Sequence, residues 1–213
     1  MPRARRLDSH CGCQLENGLW SAGYARVAGV DEVGRGALFG PVVAAAVVLD
    51  RGSHPGIDDS KRLAPERRHE LALWIMKKTT FAVASASHLE IDALNIRQAT
   101  FRAMRQALTL LDPPPDFVLV DGEPIQDLAF PQQGIIKGDQ TSASIAAASI
   151  LAKVQRDCLM QLYAPTFPCY NLSKNKGYGT QAHMEAIQRY GMSELHRRSF
   201  CRFLEEEQPR LAF

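Results

Sequence analysis

The sequence predicts an α/β fold: a mixed sheet flanked by helices, with a helical C-terminal portion. Three observations carry this reading. Two apolar segments rich in Val and Ala lie on either side of a glycine loop and read as a hairpin. Further strands then alternate with segments of helical period. The last third of the chain is dominated by helical spacing. A chain of 213 residues suits one globular domain. At that size it buries roughly 70% of its unfolded surface and needs no staples.

Each element has its own justification. Residues 1 to 24 carry mixed charges without a clear period and read as a tail. Arg26 to Val30 is a short apolar strand ending on Asp31-Glu32. Val33 to Pro41 holds three glycines and a proline, so it is a turn. Val42 to Leu49 reads as a buried central strand. Pro65 suits a first helical position, and Glu66 to Lys78 continues that helix with Leu71, Leu73, Trp74 and Ile75 on one side. Phe81 to Ser87 alternates as a third strand. Glu90 to Leu111 has helical spacing in Ile91, Leu94, Ile96, Phe101, Met104 and Leu108, and the prolines 113–115 end it. Phe117 to Val120 is a fourth strand, closing on Asp121-Gly122, and Gly134 to Ile136 a short fifth, running into Lys137-Gly138-Asp139. Three helices complete the chain: Thr141 to Leu162, His183 to Tyr190, and Leu195 to Glu207.

Composition bounds the function classes. The net charge is +2 and the pI about 8.3, which neither demands nor excludes a local basic face for nucleic acid. Hydrophobic residues make up 46%, and the longest apolar run, Val42 to Leu49, is far short of the ~20 residues of a membrane span. The basic N-terminus is followed by no apolar core, so no secretory signal is expected. Five scattered cysteines then read as reduced thiols in a cytoplasm. Cys11 and Cys13 lack a second pair to complete a zinc site, so they join the tail.

Chemistry concentrates at strand ends. Asp31-Glu32 and Asp121 close two apolar strands, and Asp139 follows a third. Carboxylates gathered there repel one another without a counter-charge, which divalent cations with a taste for oxygen supply. Two such ions can stabilise the attacking and leaving oxygens of a phosphoryl displacement. Singly, Asp121 and Asp139 also read as ordinary turn or cap residues. Two acids ending a buried strand before a glycine loop demand a reason.

The run Ala28-Gly29-Val30-Asp31-Glu32-Val33-Gly34-Arg35-Gly36 resembles the signature of the type 2 ribonucleases H, the bacterial ribonuclease HII family. Further matches follow in family order. They are Asp59-Ser60-Lys61, Asn95-Ile96, Val120-Asp121-Gly122, Lys137-Gly138-Asp139 and the block from Ala147 to Val154 with Arg156-Asp157. Asn175 to Thr180 and His196 to Phe200 complete the set, so the resemblance runs from about Arg26 to Phe203. Ala37 departs from it, standing where many members have proline. The resemblance implies a ribonuclease H-like fold, with residues 25–213 as the catalytic domain including its C-terminal helices. It implies a metal-dependent endonuclease that cuts the RNA strand of RNA–DNA hybrids and DNA at embedded ribonucleotides. Two-metal hydrolysis would leave 3′-hydroxyl and 5′-phosphate ends. Asp31, Glu32, Asp121 and Asp139 are then the catalytic metal ligands, for Mn²⁺ or Mg²⁺. Asp157 stays open between support of that site and a helix-surface acid paired with a nearby arginine.

The resemblance also assigns substrate contacts. RNA selectivity requires touching the 2′-hydroxyl. Gly34, Arg35 and Gly36 offer backbone that can approach a sugar, with a guanidinium for phosphate. Without the resemblance they read as a tight turn. Tyr178, between glycines, stacks on the nucleotide after the ribonucleotide; its alternative is a loop anchor. Lys61 is a phosphate contact, while Arg197 and Arg198 default to solvated surface. Two rivals remain: a nuclease of the same fold acting on DNA, such as a junction resolvase, and a non-catalytic hybrid-binding protein. The enzyme is expected to be a monomer. Residues 208–213, Gln-Pro-Arg-Leu-Ala-Phe, resemble peptides that bind bacterial sliding clamps, with a terminus tucked onto the last helix as the alternative.

Overall fold

The computed structural model describes residues 11–52, 56–58 and 60–201. Asp59 and residues 202–213, including the clamp-like tail and residues 202–207 of the expected last helix, lie outside them. A five-stranded mixed sheet has the order β3-β2-β1-β4-β5. Its strands are β1 (Val27–Val33), β2 (Val42–Val48), β3 (Thr80–Ala86), β4 (Phe117–Asp121) and β5 (Gln132–Ile135). β1, β2 and β3 pair antiparallel, whereas β1–β4 and β4–β5 pair parallel. A two-sided burial follows, and β2 is buried at every position, as its unbroken apolar run requires.

Helices cover both faces. Seven α-helices occur among the described residues: α1 (Gln14–Ser21), α2 (Pro65–Lys78), α3 (His88–Leu94), α4 (Ile96–Thr109), α5 (Ala143–Tyr163), α6 (Leu172–Asn175) and α7 (Gln181–Tyr190). On one face, Phe101, Met104 and Leu108 of α4 pack on Ala28, Val30, Val42, Ala44 and Ala46. On the other, the small residues of α5 meet Ala45 and Val47, with Leu71 and Ile75 of α2 beside them. α5 crosses β1 at Gly29, where a β-carbon would lie 2.1 Å from the Ser144 carbonyl carbon. That close approach needs glycine.

Four expectations are corrected. The expected helix from Glu90 to Leu111 is two helices, because Asn95 at φ 69° ends α3 and then caps α4 by accepting from the Gln98 amide. Within the supposed tail, residues 14–21 form α1, held by a buried Glu16. Its carboxylate accepts from Ser142 Oγ (2.5 Å), Ser144 Oγ (2.6 Å) and the Ser144 amide (2.9 Å) at the start of α5. Leu73, placed on the buried side of α2, is exposed; Ala72 is buried instead. Residues 198–200 form a single 3₁₀ turn where a helix from Leu195 was expected, because Asp92 accepts the Arg198 and Ser199 amides.

Candidate active site

Strand pairing alone brings the acids together. β1 and β4 run parallel with Val30 opposite Val120, so Asp31 and Asp121 leave neighbouring strands at the same level. The acids sit within or at the end of their strands; β1 continues through Asp31 and Glu32 to Val33. Alternation along β1 turns Asp31 toward α5, where Ser149 hydrogen-bonds its carboxylate. Glu32 faces the other way, toward Thr100, Phe101 and Met104 of α4, where a side cavity of about 70 Å³ opens. Both acids, with Asp121, Ser60, Lys61, Ser149, Lys153 and Tyr178, line a cleft of about 360 Å³.

Asp139 joins this group from the 3₁₀ turn Gly138–Gln140. Asp121 Oδ1 accepts the Gly138 amide at 2.7 Å, which ties that turn to the end of β4. Asp139 Oδ2 lies 3.0 Å from the Lys61 ammonium, whose stem is exposed. Burial raises Asp31 well above the ordinary carboxylate range, and the charges of Glu32 and Asp121 add to it. Burial also raises Glu32, against the pull of Arg35 at 3.2 Å. Asp121 is raised by burial and by Asp139, with the Gly138 amide opposing.

Among the described residues, no three acidic, histidine or cysteine side chains already form an ion cage. The donor set still suits a hard divalent cation. Every donor is a carboxylate oxygen, and the cluster carries repulsion that an added cation relieves. Magnesium commonly uses one or two carboxylates and completes its shell with water and phosphate, so a closed protein cage is not required.

The glycine loop is held by two buried arginines. Arg156 donates to the carbonyls of Phe39 (3.1 Å), Pro41 (3.2 Å) and Lys176 (2.7 Å). Arg197 donates to Gly40 and Arg35 carbonyls, both at 2.9 Å. Burial lowers both guanidinium pKa values, Arg197 to about 9 with help from neighbouring Arg156. Arg197 was read as solvated surface or a phosphate contact; it is fully buried, with Nε and Nη1 bonded to backbone carbonyls. Asp157 pairs with Lys153 Nζ at 2.8 Å, not with an arginine. Tyr178 reaches the cleft because the Gly177 carbonyl accepts the Leu38 amide at 2.8 Å and Ala37 bridges Tyr178, so the two loops share backbone. The Arg156 guanidinium lies 5.2 Å from the Tyr178 ring centre.

The sequence assigned no role to Arg156, Ser149, Glu16 or the pair His183–His196, although Arg156, Ser149 and His196 lie in the blocks that carry the family resemblance. An arginine inside a helix of Ala, Ser and Ile was the one local hint.

The family model for Ribonuclease HII matches residues 28–203. The Ribonuclease HII of Caldicellulosiruptor saccharolyticus is 48% identical over 191 residues, covering 89% of this chain and 93% of that protein. Among solved structures, the ribonuclease H2 of Pyrococcus horikoshii OT3 aligns with a TM-score of 0.72 at 26% identity, covering 85% of this chain and 97% of that one. The PCNA:RNase HII complex from Archaeoglobus fulgidus shares the fold, with a TM-score of 0.71 at 24% identity over 87% of this chain and 98% of that one.

Proposed function

The chain belongs to the ribonuclease HII family, and from that premise we propose that it is an endonuclease hydrolysing the RNA strand of RNA–DNA hybrids and cutting DNA at embedded ribonucleotides. It is a metal-dependent ribonuclease, a hydrolase. The observation that carries the finer reading is the convergence of Asp31, Glu32 and Asp121 on one cleft that Tyr178 and Lys61 also line.

In this reading Asp31, Glu32, Asp121 and Asp139 hold Mn²⁺ or Mg²⁺. When bound, two such ions supply positive charge to the attacking and leaving oxygens. Water attacks the phosphorus, the 3′ oxygen of the preceding nucleotide leaves and takes up a proton, and the ends are a 3′-hydroxyl and a 5′-phosphate. The backbone of Gly34, Arg35 and Gly36 reads the ribose 2′-hydroxyl, held rigid by Arg156 and Arg197. Lys61 serves the substrate phosphate from beside Asp139. Tyr178 stacks on the nucleotide that follows.

The enzyme works as a monomer, and residues 208–213 tether it to a sliding clamp. That tether rests on the tail sequence alone, and its residues lie outside the described part. No helix among the described residues is long and apolar enough to cross a membrane. Cleavage of a duplex with one ribonucleotide, against an all-DNA control and a long hybrid, tests the activity. Cleavage of the all-DNA duplex at equal rate would instead support a DNA nuclease of the same fold.

A further inference from the structure

We propose that His183 and His196 are positioning residues for Tyr178, acting through a one-way chain of hydrogen bonds that ends on the Tyr178 carbonyl. The inference rests on the reading of Tyr178 as a substrate contact. The chain begins at Ser193, whose amide donates to His196 Nδ1 at 2.9 Å, with the Ser193 hydroxyl, itself able to donate, at 2.9 Å from the same nitrogen. An amide N–H can only donate, so His196 Nδ1 accepts. A neutral imidazole has one donor and one acceptor. His196 Nε2 therefore carries the proton and donates to His183 Nε2 at 3.1 Å. His183 Nδ1 then carries its own proton and donates to the Tyr178 carbonyl at 2.9 Å. With an amide at one end and a carbonyl at the other, one proton arrangement satisfies every contact. An added proton on either ring sets two donors against each other.

The surroundings leave little alternative. Both histidines are buried. The rings of Phe39 and Tyr170 pack edge-on against His196 at 5.1 and 4.6 Å between centres. The Tyr170 hydroxyl is spent on the Gly191 carbonyl at 2.8 Å. The His196 backbone also bridges Phe39 in the glycine loop. The relay thus ties the C-terminal segment to both loops of the cleft. Tyr178 has one further backbone donor on its carbonyl, the Thr180 amide at 2.8 Å, and its own amide donates to Asn175. Those contacts are local to residues 175–180, and the bridge to Ala37 ties Tyr178 to the glycine loop; His183, through His196, adds a second tie to the C-terminal segment, and so helps set where the ring stands against the cleft.

The test uses the full chain and two substrates, a duplex with one ribonucleotide and a long hybrid. His183→Phe keeps ring volume and removes the donor. His183→Asn places an amide donor near the Nδ1 position. If the relay positions Tyr178, His183→Phe lowers kcat/KM about fivefold to tenfold more on the single ribonucleotide than on the hybrid, the range one hydrogen bond carries. His183→Asn restores most of that difference. The double variant His183→Phe/Tyr178→Ala is no worse than Tyr178→Ala, because both act through one ring. Equal losses on both substrates, or losses that multiply, overturn the proposal. Imidazole ¹⁵N shifts of the unaltered enzyme at pH 7 provide a check that survives an unfolded variant. They must show a Nδ1–H tautomer for His183 and a Nε2–H tautomer for His196, and any other assignment overturns the relay. A Tyr178→Ala enzyme with unaltered preference overturns the reading of Tyr178 and the positioning role with it. A tyrosine-dependent preference that His183→Phe does not share overturns the positioning role alone.

Discussion

The Arg156 guanidinium occupies the space that a side chain at Gly34 would need: a β-carbon there would lie 2.1 Å from Arg156 Nε. Gly34 also has φ +91°, a conformation costly for any other residue. Gly34→Ala should therefore lose stability by about 1–3 kcal/mol and lose activity with it. Gly36 differs, since a β-carbon there meets nothing within 4 Å. Gly36→Ala should melt like the unaltered protein yet cleave at least tenfold more slowly, because the proposed ribose contact loses its close approach. Thermal melts beside cleavage assays separate the two; a fully active Gly36→Ala would remove Gly36 from the substrate site.

Asp121→Asn should leave the fold intact and abolish cleavage. The amide can still accept the Gly138 N–H through its oxygen, while one charge leaves a mutually repelling cluster. The rate should fall by several orders of magnitude, as charge stabilisation of this kind is worth several kcal/mol. In metal-free buffer the variant should melt no lower than the unaltered chain. Mn²⁺ at about 100 times its Kd should stabilise the unaltered chain by about 2.7 kcal/mol and the variant by much less. Near-normal activity in the variant would end the ligand assignment.

Tyr178→Ala should damage cleavage at a single embedded ribonucleotide more than in a long hybrid. Stacking is worth about 1–3 kcal/mol and matters most where a junction must be sensed. Equal losses would favour a loop-anchoring role, through the contact of the ring with the Arg156 guanidinium.

The buried histidines predict acid sensitivity. Burial holds His183 below the imidazole value of 6.5 and, with His183 as a neighbour, lowers His196 to about 4. Between those pH values the unfolded chain binds protons that the folded chain refuses. The stabilisation is present above about pH 6.5 and is lost as pH falls toward 4. For His196 the loss should reach about 3 kcal/mol. The raised carboxylates of Asp31, Glu32 and Asp121 act in the opposite sense, favouring folding as pH falls. Urea melts from pH 7 to 5 on the unaltered chain and on His183→Asn/His196→Gln isolate the histidine part as a difference. A difference independent of pH would contradict the neutral pair.

Deleting residues 208–213 should abolish sliding-clamp binding, measured by calorimetry, and leave cleavage of short duplexes unchanged. The affinity should be weak, on the order of micromolar, because a short tail loses entropy on docking. Absence of clamp binding by the full chain ends that proposal.

What the sequence determined by itself was local. Alternation and apolar runs revealed all five strands, and helical period revealed α2, α5 and α7 within a few residues. The glycine loop between β1 and β2 and the acids at the strand ends were visible for the same reason: each is a short-range pattern. Asn95 escaped because its break leaves the apolar spacing intact on both sides. Only tertiary structure decided which polar groups are buried. Arg197 reaches carbonyls 157 and 162 residues away, and Glu16 caps a helix across 126 and 128 residues. A buried charge survives only where partners satisfy it, and those partners come from distant segments that periodicity cannot relate. The same holds for the candidate site: each acid was legible alone, but the parallel pairing of β1 with β4 placed Asp31 beside Asp121.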